Sequence, residues 1–251
     1  MSRREPRPSF QTDWRRYTAE LLGTLVLVLG GTTAIVAAGR ADAPVLLVAA
    51  FAFGLALLAG LYAFGEVTGG HYNPAVSLAM FLDKRLPGTD LIAYWVSQFL
   101  GGIFAAVILL IATTQDDVAS TATKPSSDGT AFVIELVFTT IFVLVILQAS
   151  RSEVFGSSAL IAIPLTLVAV HLAAIPFSGS SVNPARTFGP DLVGNTWTGI
   201  WIYFIAPPLG AALAWAIHAG VVRGEVGRPE GAVAEVLEDP TAAQGSTTRP
   251  G

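Results

Sequence analysis

Six long apolar stretches limit what this chain can fold into more than any other feature of its sequence. They cover about residues 17–38, 44–65, 91–112, 131–150, 159–177 and 199–220, and nearly all charged residues fall between them. A helix rises about 1.5 Å per residue, so about 20 apolar residues cross the hydrocarbon core of a bilayer. Charged residues make up only 13% of the chain, against about 25% in soluble domains. The sequence therefore predicts six membrane-spanning helices.

Composition excludes several functional classes. The chain of 251 residues has a net charge of −4 and no large basic block, so we exclude nucleic acid as a partner. It contains no cysteine, which excludes disulfides, thiolate metal sites and cysteine nucleophiles. Its three histidines have no paired carboxylates or metal-ligand spacing near them, so we predict no enzyme activity, no metal site and no cofactor.

Lysine and arginine are distributed unevenly between the alternating loops, which predicts the orientation in the membrane. With the N-terminus inside, the outside loops hold only Arg40 and Lys124. The inside segments hold eleven such residues: Arg3, Arg4, Arg7, Arg15, Arg16, Lys84, Arg85, Arg151, Arg223, Arg228 and Arg249. We therefore expect both termini in the cytoplasm. The absence of a targeting peptide, together with short tails and loops, favours the inner membrane of a prokaryote.

The segments around the spans predict the domain organisation. Residues 17–220 are expected to form one transmembrane domain. Residues 1–16 are expected to be a disordered basic tail in the cytoplasm, and residues 221–251, which are rich in Glu, Pro, Gly, Thr and Ser, a second disordered tail. Residues 113–130 are predicted to be a long polar loop.

Two shorter apolar segments, at about 74–82 and 184–190, each begin within an Asn-Pro-Ala motif and are too short to cross a bilayer. The motifs are Asn73-Pro74-Ala75 and Asn183-Pro184-Ala185. Asparagine caps helices well and proline is favoured at the first helical position, so each motif predicts the start of a half-helix. The first half-helix is expected to end at Leu82. The second is expected to end at Phe188, before Gly189-Pro190.

The two motifs occupy equivalent places in an internal repeat. Glu20 precedes Asn73 by 53 residues, and Glu135 precedes Asn183 by 48. Each half, about 17–112 and 131–220, holds three spans, and because three is odd the second half must enter from the opposite face. The predicted fold is an all-α membrane protein with six transmembrane helices and two half-helices in an inverted repeat.

Half-helices that enter from opposite faces can meet near the midplane of the membrane. Non-helical backbone at that depth is tolerated only inside protein or around a water-filled cavity. The converging helix N-termini carry partial positive charge and repel cations. The amides of Asn73 and Asn183 would donate to a passing water, orient its oxygen and break a hydrogen-bonded wire for protons. The pattern indicates a passive pore for water or small neutral solutes.

At these residues the sequence resembles the aquaporin family, the major intrinsic proteins, and most of all its bacterial water-selective members. The motifs stand in this chain within residues 68–77 (TGGHYNPAVS) and 180–190 (SSVNPARTFGP). Residues 18–20 (TAE) and 94–98 (YWVSQ) also resemble the family. The resemblance covers about 17–220. It implies a right-handed helical bundle that assembles as a homotetramer in the bilayer, with one pore per subunit.

The resemblance also implies a second filter nearer the outer face, formed by Phe53, His171, Ser180 and Arg186. Phenylalanine supplies a wall, histidine narrows the gap and offers a hydrogen bond, and arginine supplies donors and a permanent charge. This is the pattern of water-selective members, whereas glycerol-conducting members typically have Trp and a small residue in place of Phe53 and His171. An arginine at membrane depth normally faces water or a partner, which agrees with a place in a pore.

Four further residues are expected near the half-helix loops. Glu20 and Glu135 are acids that could relay protons or could hold loop backbone N–H groups. We favour the second role, which the resemblance implies, because unpaired buried charge is costly. His71 is expected to bond the first loop, and Gln98 to be a further loop-supporting partner.

Several positions depart from the pattern of a plain water channel. Glu66 stands where bacterial water channels often have a histidine, and we hypothesise that it makes the inner mouth more acidic. Thr187 and Asp191 match neither water nor glycerol members, and Tyr203-Phe204 also differs from both. A facilitator of glycerol, ammonia or hydrogen peroxide therefore remains an alternative.

A third hypothesis is an adhesive or structural membrane protein that has kept the fold and lost conduction. The long polar segment 113–130 is compatible with this hypothesis. The intact Asn73, Asn183 and Arg186 argue against it, because a closed helical bundle has no use for them.

Overall fold

The computed structural model describes residues 10–151 and 158–222, and these ranges contain helices and loops without strands. The helices in the described ranges are α1 (Phe10–Arg40), α2 (Val45–Thr68), α3 (Pro74–Leu82), α4 (Gly88–Ala112), α5 (Gln115–Ser120), α6 (Asp128–Ala149), α7 (Ala159–Ser178), α8 (Pro184–Gly194) and α9 (Ile200–Ile217). Six of them, α1, α2, α4, α6, α7 and α9, are long and apolar enough to cross a membrane. The predicted all-α architecture with six spans is confirmed.

The first helix is longer than the sequence predicts, because α1 includes residues 10–16 of the expected tail. Contacts of Arg16 hold this part of α1 against α4. Its Nη1 donates to Oδ2 of Asp90 at 2.7 Å, and its Nη2 donates to the hydroxyl of Tyr94 at 2.9 Å, both in α4. At the other end, residues 221 and 222 belong to a π-helical turn, His218–Val222, that continues α9. The rest of the two predicted tails, 1–9 and 223–251, lies outside the described residues.

The two halves of the chain repeat the same order of elements and the same packing. In the first half α1 packs against α2 and α4, and in the second half α6 packs against α7 and α9. Each half-helix packs on the last helix of the other half, α8 on α4 and α3 on α9, while α2 meets α7 between the halves. Because each half contains three spans, this shared packing requires the halves to run in opposite directions across the membrane.

Two glycines at equivalent places allow the spanning helices to approach closely. A Cβ added to Gly101 of α4 would lie 2.4 Å from the carbonyl oxygen of Leu21 in α1. A Cβ added to Gly210 of α9 would lie 2.5 Å from the carbonyl oxygen of Leu136 in α6. Small residues at such crossings are typical of helices packed within membranes. The repeat therefore extends to individual helix contacts.

The second half-helix does not end at Phe188 as predicted, but continues through Gly189-Pro190 to Gly194. Pro190 has no N–H with which to bond the carbonyl four residues earlier, so local preference favours a stop there. Packing on α4 overrides that preference. A Cβ on Gly189 would lie 2.1 Å from the carbonyl oxygen of Gly102, so α8 lies directly against the α4 backbone. The first half-helix ends at Leu82, as predicted.

The polar segment 113–130, predicted as a loop, contains the short helix α5. Thr114 and Asp117 form a reciprocal capping box at its start. The Thr114 hydroxyl donates to the Asp117 carboxylate at 2.8 Å, and Nη2 of Arg40 lies 2.8 Å from the same oxygen. The hydrogen bond from Thr114, and with it the ion pair with Arg40, lowers the pKa of the Asp117 carboxyl. The segment packs through α5 against α8, so it bears directly on the second half-helix.

Candidate functional site

Both Asn-Pro-Ala motifs begin half-helices, with asparagine as the N-cap and proline at the first helical positions. Oδ1 of Asn73 accepts from the N–H of Ala75 at 2.9 Å. Oδ1 of Asn183 accepts from the N–H of Ala185 at 3.0 Å and from that of Arg186 at 3.3 Å. Capping thus fixes each amide with its oxygen toward its own helix and its nitrogen away from it.

The two motifs are tied to each other by reciprocal hydrogen bonds. Nδ2 of Asn73 donates to the carbonyl oxygen of Val182 at 2.8 Å, and Nδ2 of Asn183 donates to the carbonyl oxygen of Tyr72 at 2.9 Å. An amide nitrogen carries two hydrogens, so each asparagine keeps one donor free of this tie. Both asparagines line a shared cavity, and the remaining donors are available to whatever occupies it.

Glu20 of α1 holds the loop before the first motif. Its Oε1 accepts from the N–H of His71 at 3.0 Å, and its Oε2 accepts from the N–H of Tyr72 at 2.8 Å. Nε2 of Gln98 donates to the same Oε2 at 2.7 Å and to Oγ of Ser77 at 2.8 Å. The hydroxyl of Ser77 in turn lies 3.1 Å from Nδ1 of His71. The three residues that the sequence predicted as loop partners in this half, Glu20, His71 and Gln98, therefore belong to one hydrogen-bond network, which Ser77 completes.

Glu135 of α6 holds the loop before the second motif in the same way. Its Oε1 accepts from the N–H of Ser181 and its Oε2 from the N–H of Val182, each at 2.7 Å. The hydroxyl of Ser178 also donates to Oε1 at 2.7 Å. Val182 has φ 46° and its counterpart Tyr72 has φ 48°, so both loops adopt a left-handed conformation that non-glycine residues rarely take. The two acids are fully buried and their oxygens are engaged by loop donors.

The four residues expected to form the second filter lie close together and are all buried. The rings of Phe53 and His171 meet edge to face with their centroids 4.9 Å apart. The guanidinium carbon of Arg186 lies 4.9 Å from the centroid of the Phe53 ring. Oγ of Ser180 lies 3.2 Å from Nδ1 of His171. Residues from α2, α7, α8 and the loop before α8 therefore converge on one point.

Ser180 takes a different place in this group from the one the sequence suggests. Phe53, His171 and Arg186 line the cavity, and the loop contributes Ser181 and Val182 to its wall. The side chain of Ser180 instead bonds the back of the His171 ring. Its position therefore bears on the orientation of that ring.

The polar atoms of the filter residues are partly unpaired within the described part of the chain. Nη1 of Arg186 donates to the carbonyl oxygen of Thr121 at 3.1 Å, while its Nε has no protein partner. Nε2 of His171 is also buried without a partner. Sequence reasoning missed Thr121, because a backbone carbonyl in a polar loop carries no motif. Only the capping box at Thr114 could have indicated that this loop is structured.

The cavity between the two loops has a volume of about 20 Å³, about the room that a single water requires. Half of the residues in its wall are apolar and half carry polar groups: Leu27, Phe53, Leu57, His71, Asn73, Phe142, Leu167, His171, Ser181, Val182, Asn183 and Arg186. A small passage with apolar walls and with donors at defined points can select among small neutral molecules by size and hydrogen bonding.

The departures that the sequence showed from known patterns lie outside this cavity wall. Glu66 is exposed near the end of α2. Thr187 and Asp191 are buried on α8, where the Thr187 hydroxyl donates to Oγ of Ser181 at 2.6 Å. Tyr203 donates to the carbonyl oxygen of Ser178 at 2.6 Å, and Phe204 stacks on Phe99 with centroids 5.8 Å apart.

Comparisons with known proteins agree with this architecture. The sequence profile described as "Major intrinsic protein" matches residues 8–218. Aquaporin Z of Brucella melitensis is 38% identical over 222 residues, which are 82% of this chain and 97% of that protein. Glycerol uptake facilitator protein-like 6 of Lactiplantibacillus plantarum is 35% identical over 208 residues, 80% of this chain and 94% of that protein.

A solved structure shows the same fold. The aquaglyceroporin from Plasmodium falciparum superposes with a TM-score of 0.77 at 21% identity, covering 84% of this chain and 97% of that one. The family profile spans most of the chain, and the six spans are those of a multi-pass membrane protein. The chain belongs to the major intrinsic protein family and is therefore an integral membrane channel of the aquaporin type, not an enzyme.

Proposed function

We propose that this channel conducts water in single file between the two Asn-Pro-Ala loops and excludes glycerol, ions and protons. The observation that carries the proposal is the cavity of about 20 Å³ bounded by Phe53, His171 and Arg186. It offers room for about one water, whereas glycerol is several times larger. An unpaired histidine nitrogen and an unpaired arginine N–H beside it could replace the hydrogen bonds that a water loses on entry.

Charge and donor placement support the exclusion of ions and protons. The positive ends of α3 and α8 converge on the cavity and oppose cations. Arg186 adds a full positive charge nearby. The free amide hydrogens of Asn73 and Asn183 would both donate to the oxygen of one water. That oxygen could then not accept a hydrogen bond from the neighbouring waters. A chain of waters interrupted in this way cannot pass a proton along.

The relatives support two different solutes. Aquaporin Z of Brucella melitensis is named as an aquaporin, and the relative from Lactiplantibacillus plantarum is named as similar to a glycerol uptake facilitator. A glycerol facilitator is therefore the second candidate function. The small cavity and the presence of His171 in its wall favour water.

The assembly and orientation are proposals as well. We expect a homotetramer with one pore in each subunit, embedded in a prokaryotic inner membrane. Both termini would face the cytoplasm, as the uneven distribution of lysine and arginine indicates. Residues 17–220 would form the single channel domain, with the halves 17–112 and 131–220 related by the repeat.

Flux measurements on the purified protein in lipid vesicles test the choice of solute. With an impermeant osmolyte, stopped-flow light scattering should show vesicles that shrink much faster than protein-free ones. In a glycerol gradient, the same vesicles should take up glycerol no faster than protein-free ones, because the cavity is too narrow. Rapid glycerol uptake would establish the facilitator function in place of the water-selective one.

A pair of cysteine variants tests whether solute follows this cavity. The parent chain has no cysteine, so mercurials are expected to leave its water flux unchanged. Leu57→Cys places a thiol in the cavity wall, where a bound mercury ion should block the pore. Leu55→Cys is the matched control, because Leu55 lies on the same helix with 58% of its surface exposed. Block of both variants, or of neither, would place the water path elsewhere.

A further inference from the structure

A chain of hydrogen bonds leads from a buried acid to a ring that lines the cavity. Glu20 lies 2.7 Å from Nε2 of Gln98, that nitrogen lies 2.8 Å from Oγ of Ser77, and Oγ lies 3.1 Å from Nδ1 of His71. Glu20, Gln98 and Ser77 are completely buried. Nε2, the other ring nitrogen of His71, bonds no other described residue, while the ring forms part of the cavity wall.

Glu20, at one end of this series of hydrogen bonds, determines which group donates in each of them. Both oxygens of Glu20 already accept backbone N–H groups, from His71 and Tyr72. A carboxylate accepts only, so the group of Gln98 that faces it must be the NH₂ group. The second hydrogen of that NH₂ group then points to Ser77. Since the Ser77 oxygen accepts from Gln98, its own hydrogen is free to point to Nδ1 of His71.

We propose that Gln98 and Ser77 are positioning residues that fix the hydrogen of His71 on Nε2, so that the ring presents an N–H donor to the pore. This inference rests on the proposed conduction of small neutral solutes through the cavity. A neutral histidine carries its hydrogen on one ring nitrogen only, and the bond made by the other nitrogen decides which. With Nδ1 accepting from Ser77, the hydrogen is on Nε2, the ring nitrogen that bonds no other described residue.

The second half of the repeat lacks this series of hydrogen bonds, so the inverted repeat by itself does not require it. Ser181 and Thr187 occupy the places of His71 and Ser77, and the Thr187 hydroxyl donates to Ser181 at 2.6 Å. Pro207 stands at the place of Gln98 in α9 and has no side-chain amide. The proposed imidazole donor of His71 therefore has no equivalent at Ser181, whose hydroxyl donates to the carbonyl oxygen of Asn183 at 2.8 Å.

His171, the other histidine in the cavity wall, lacks such an ordered series of hydrogen bonds. The partner of its Nδ1 is Oγ of Ser180 at 3.2 Å, and no donor to that oxygen is present among the described residues. The Ser180 hydroxyl can therefore donate or accept. The proposed fixed position of the ring hydrogen therefore applies to His71 and not to His171. Only the partner of His71, Ser77, already accepts a hydrogen from another side chain, that of Gln98.

Nitrogen NMR of the purified channel, labelled with ¹⁵N in its histidine rings, reads the position of the hydrogen directly. The chain has three histidines, so few signals are expected, and the variants His171→Asn and His218→Gln assign them. For the parent chain, the Nε2 signal of His71 should lie at the protonated position and the Nδ1 signal at the unprotonated one. In Ser77→Ala both signals should move toward intermediate positions, because either nitrogen can then carry the hydrogen.

Ser77→Thr keeps the hydroxyl and should restore the parent pattern, while Thr166→Ala removes a partly exposed hydroxyl of α7 and should leave His71 unchanged. A parent His71 with its hydrogen on Nδ1 would overturn the proposal, since it would mean that the chain runs in reverse from a protonated Glu20. Unchanged His71 signals in Ser77→Ala would overturn it as well. The NMR signals of the His71 ring do not depend on which solute the channel conducts. A channel that conducts glycerol instead of water would therefore leave both NMR results unchanged.

Discussion

Replacing His171 with glycine and Phe53 with tryptophan in one chain is expected to raise glycerol permeability at least about tenfold over the parent, while water continues to pass. The two rings meet with centroids 4.9 Å apart and together bound the narrow cavity. Removing the imidazole opens the gap on one side. The indole offers an apolar wall for the carbon backbone of glycerol, and Arg186 keeps its donors for the glycerol hydroxyls.

The position of α1 makes the two substitutions depend on each other. A Cβ on Gly31 would lie 2.2 Å from the Phe53 ring, so α1 leaves no room behind that ring. A larger indole must therefore extend into the space that His171 vacates. Phe53→Trp alone is expected to lower water permeability without admitting glycerol, because the imidazole still occupies that space.

Stopped-flow measurements of water and glycerol on the parent, both single variants and the double variant separate these effects. Equal protein content and equal thermal stability in detergent are the controls for folding. If the double variant conducts water at the parent rate and still excludes glycerol, the size barrier lies somewhere other than between Phe53 and His171. The four residues proposed as a filter would then not be the ones that exclude glycerol.

The sequence predicted the fold because its strongest signals are local. Six apolar runs of spanning length need no tertiary information, and Asn73 and Asn183 act as N-caps within their own segments. The repeat was visible for the same reason, since the spacing from each acid to its motif is a property of the linear chain. Local signals failed where packing decides the outcome. α8 continues past Pro190 because the α4 backbone at Gly102 supports it.

The parts of the site that involve backbone carbonyls could not be predicted. The amides of Asn73 and Asn183 each bond a carbonyl in the opposite loop, and the carbonyl of Thr121 bonds Arg186. Every residue type has such a carbonyl, so no pattern of side chains reveals it. Ser180 illustrates the same limit. Its spacing from Asn183 pointed to the filter, while its bond to the back of His171 depends on the left-handed backbone of the loop.

Glu135→Ala, in α6, is expected to cause a large loss of stability because Glu135 holds the loop before the second motif. The change leaves the N–H groups of Ser181 and Val182 and the hydroxyl of Ser178 without their acceptor. A buried donor left unpaired costs about 1–3 kcal/mol. Val182 is also β-branched at φ 46°, a conformation that persists only where its surroundings enforce it. We expect a lower thermal unfolding temperature in detergent and, in vesicles, the loss of most water flux.

The flux and the stability should fall together because the same loop positions the pore. Once the backbone at Ser181 and Val182 relaxes, the Val182 carbonyl no longer meets Nδ2 of Asn73, and both asparagine donors lose their alignment. Glu135→Gln, which keeps one acceptor oxygen, should lose less, and Glu66→Gln, at an exposed acid, should keep the thermal stability of the parent. Glu20→Ala should resemble Glu135→Ala, since Glu20 makes the equivalent bonds. Parent-like stability and flux in Glu135→Ala would mean that the loops hold their shape without the buried acids, and that these acids serve another purpose, such as moving protons.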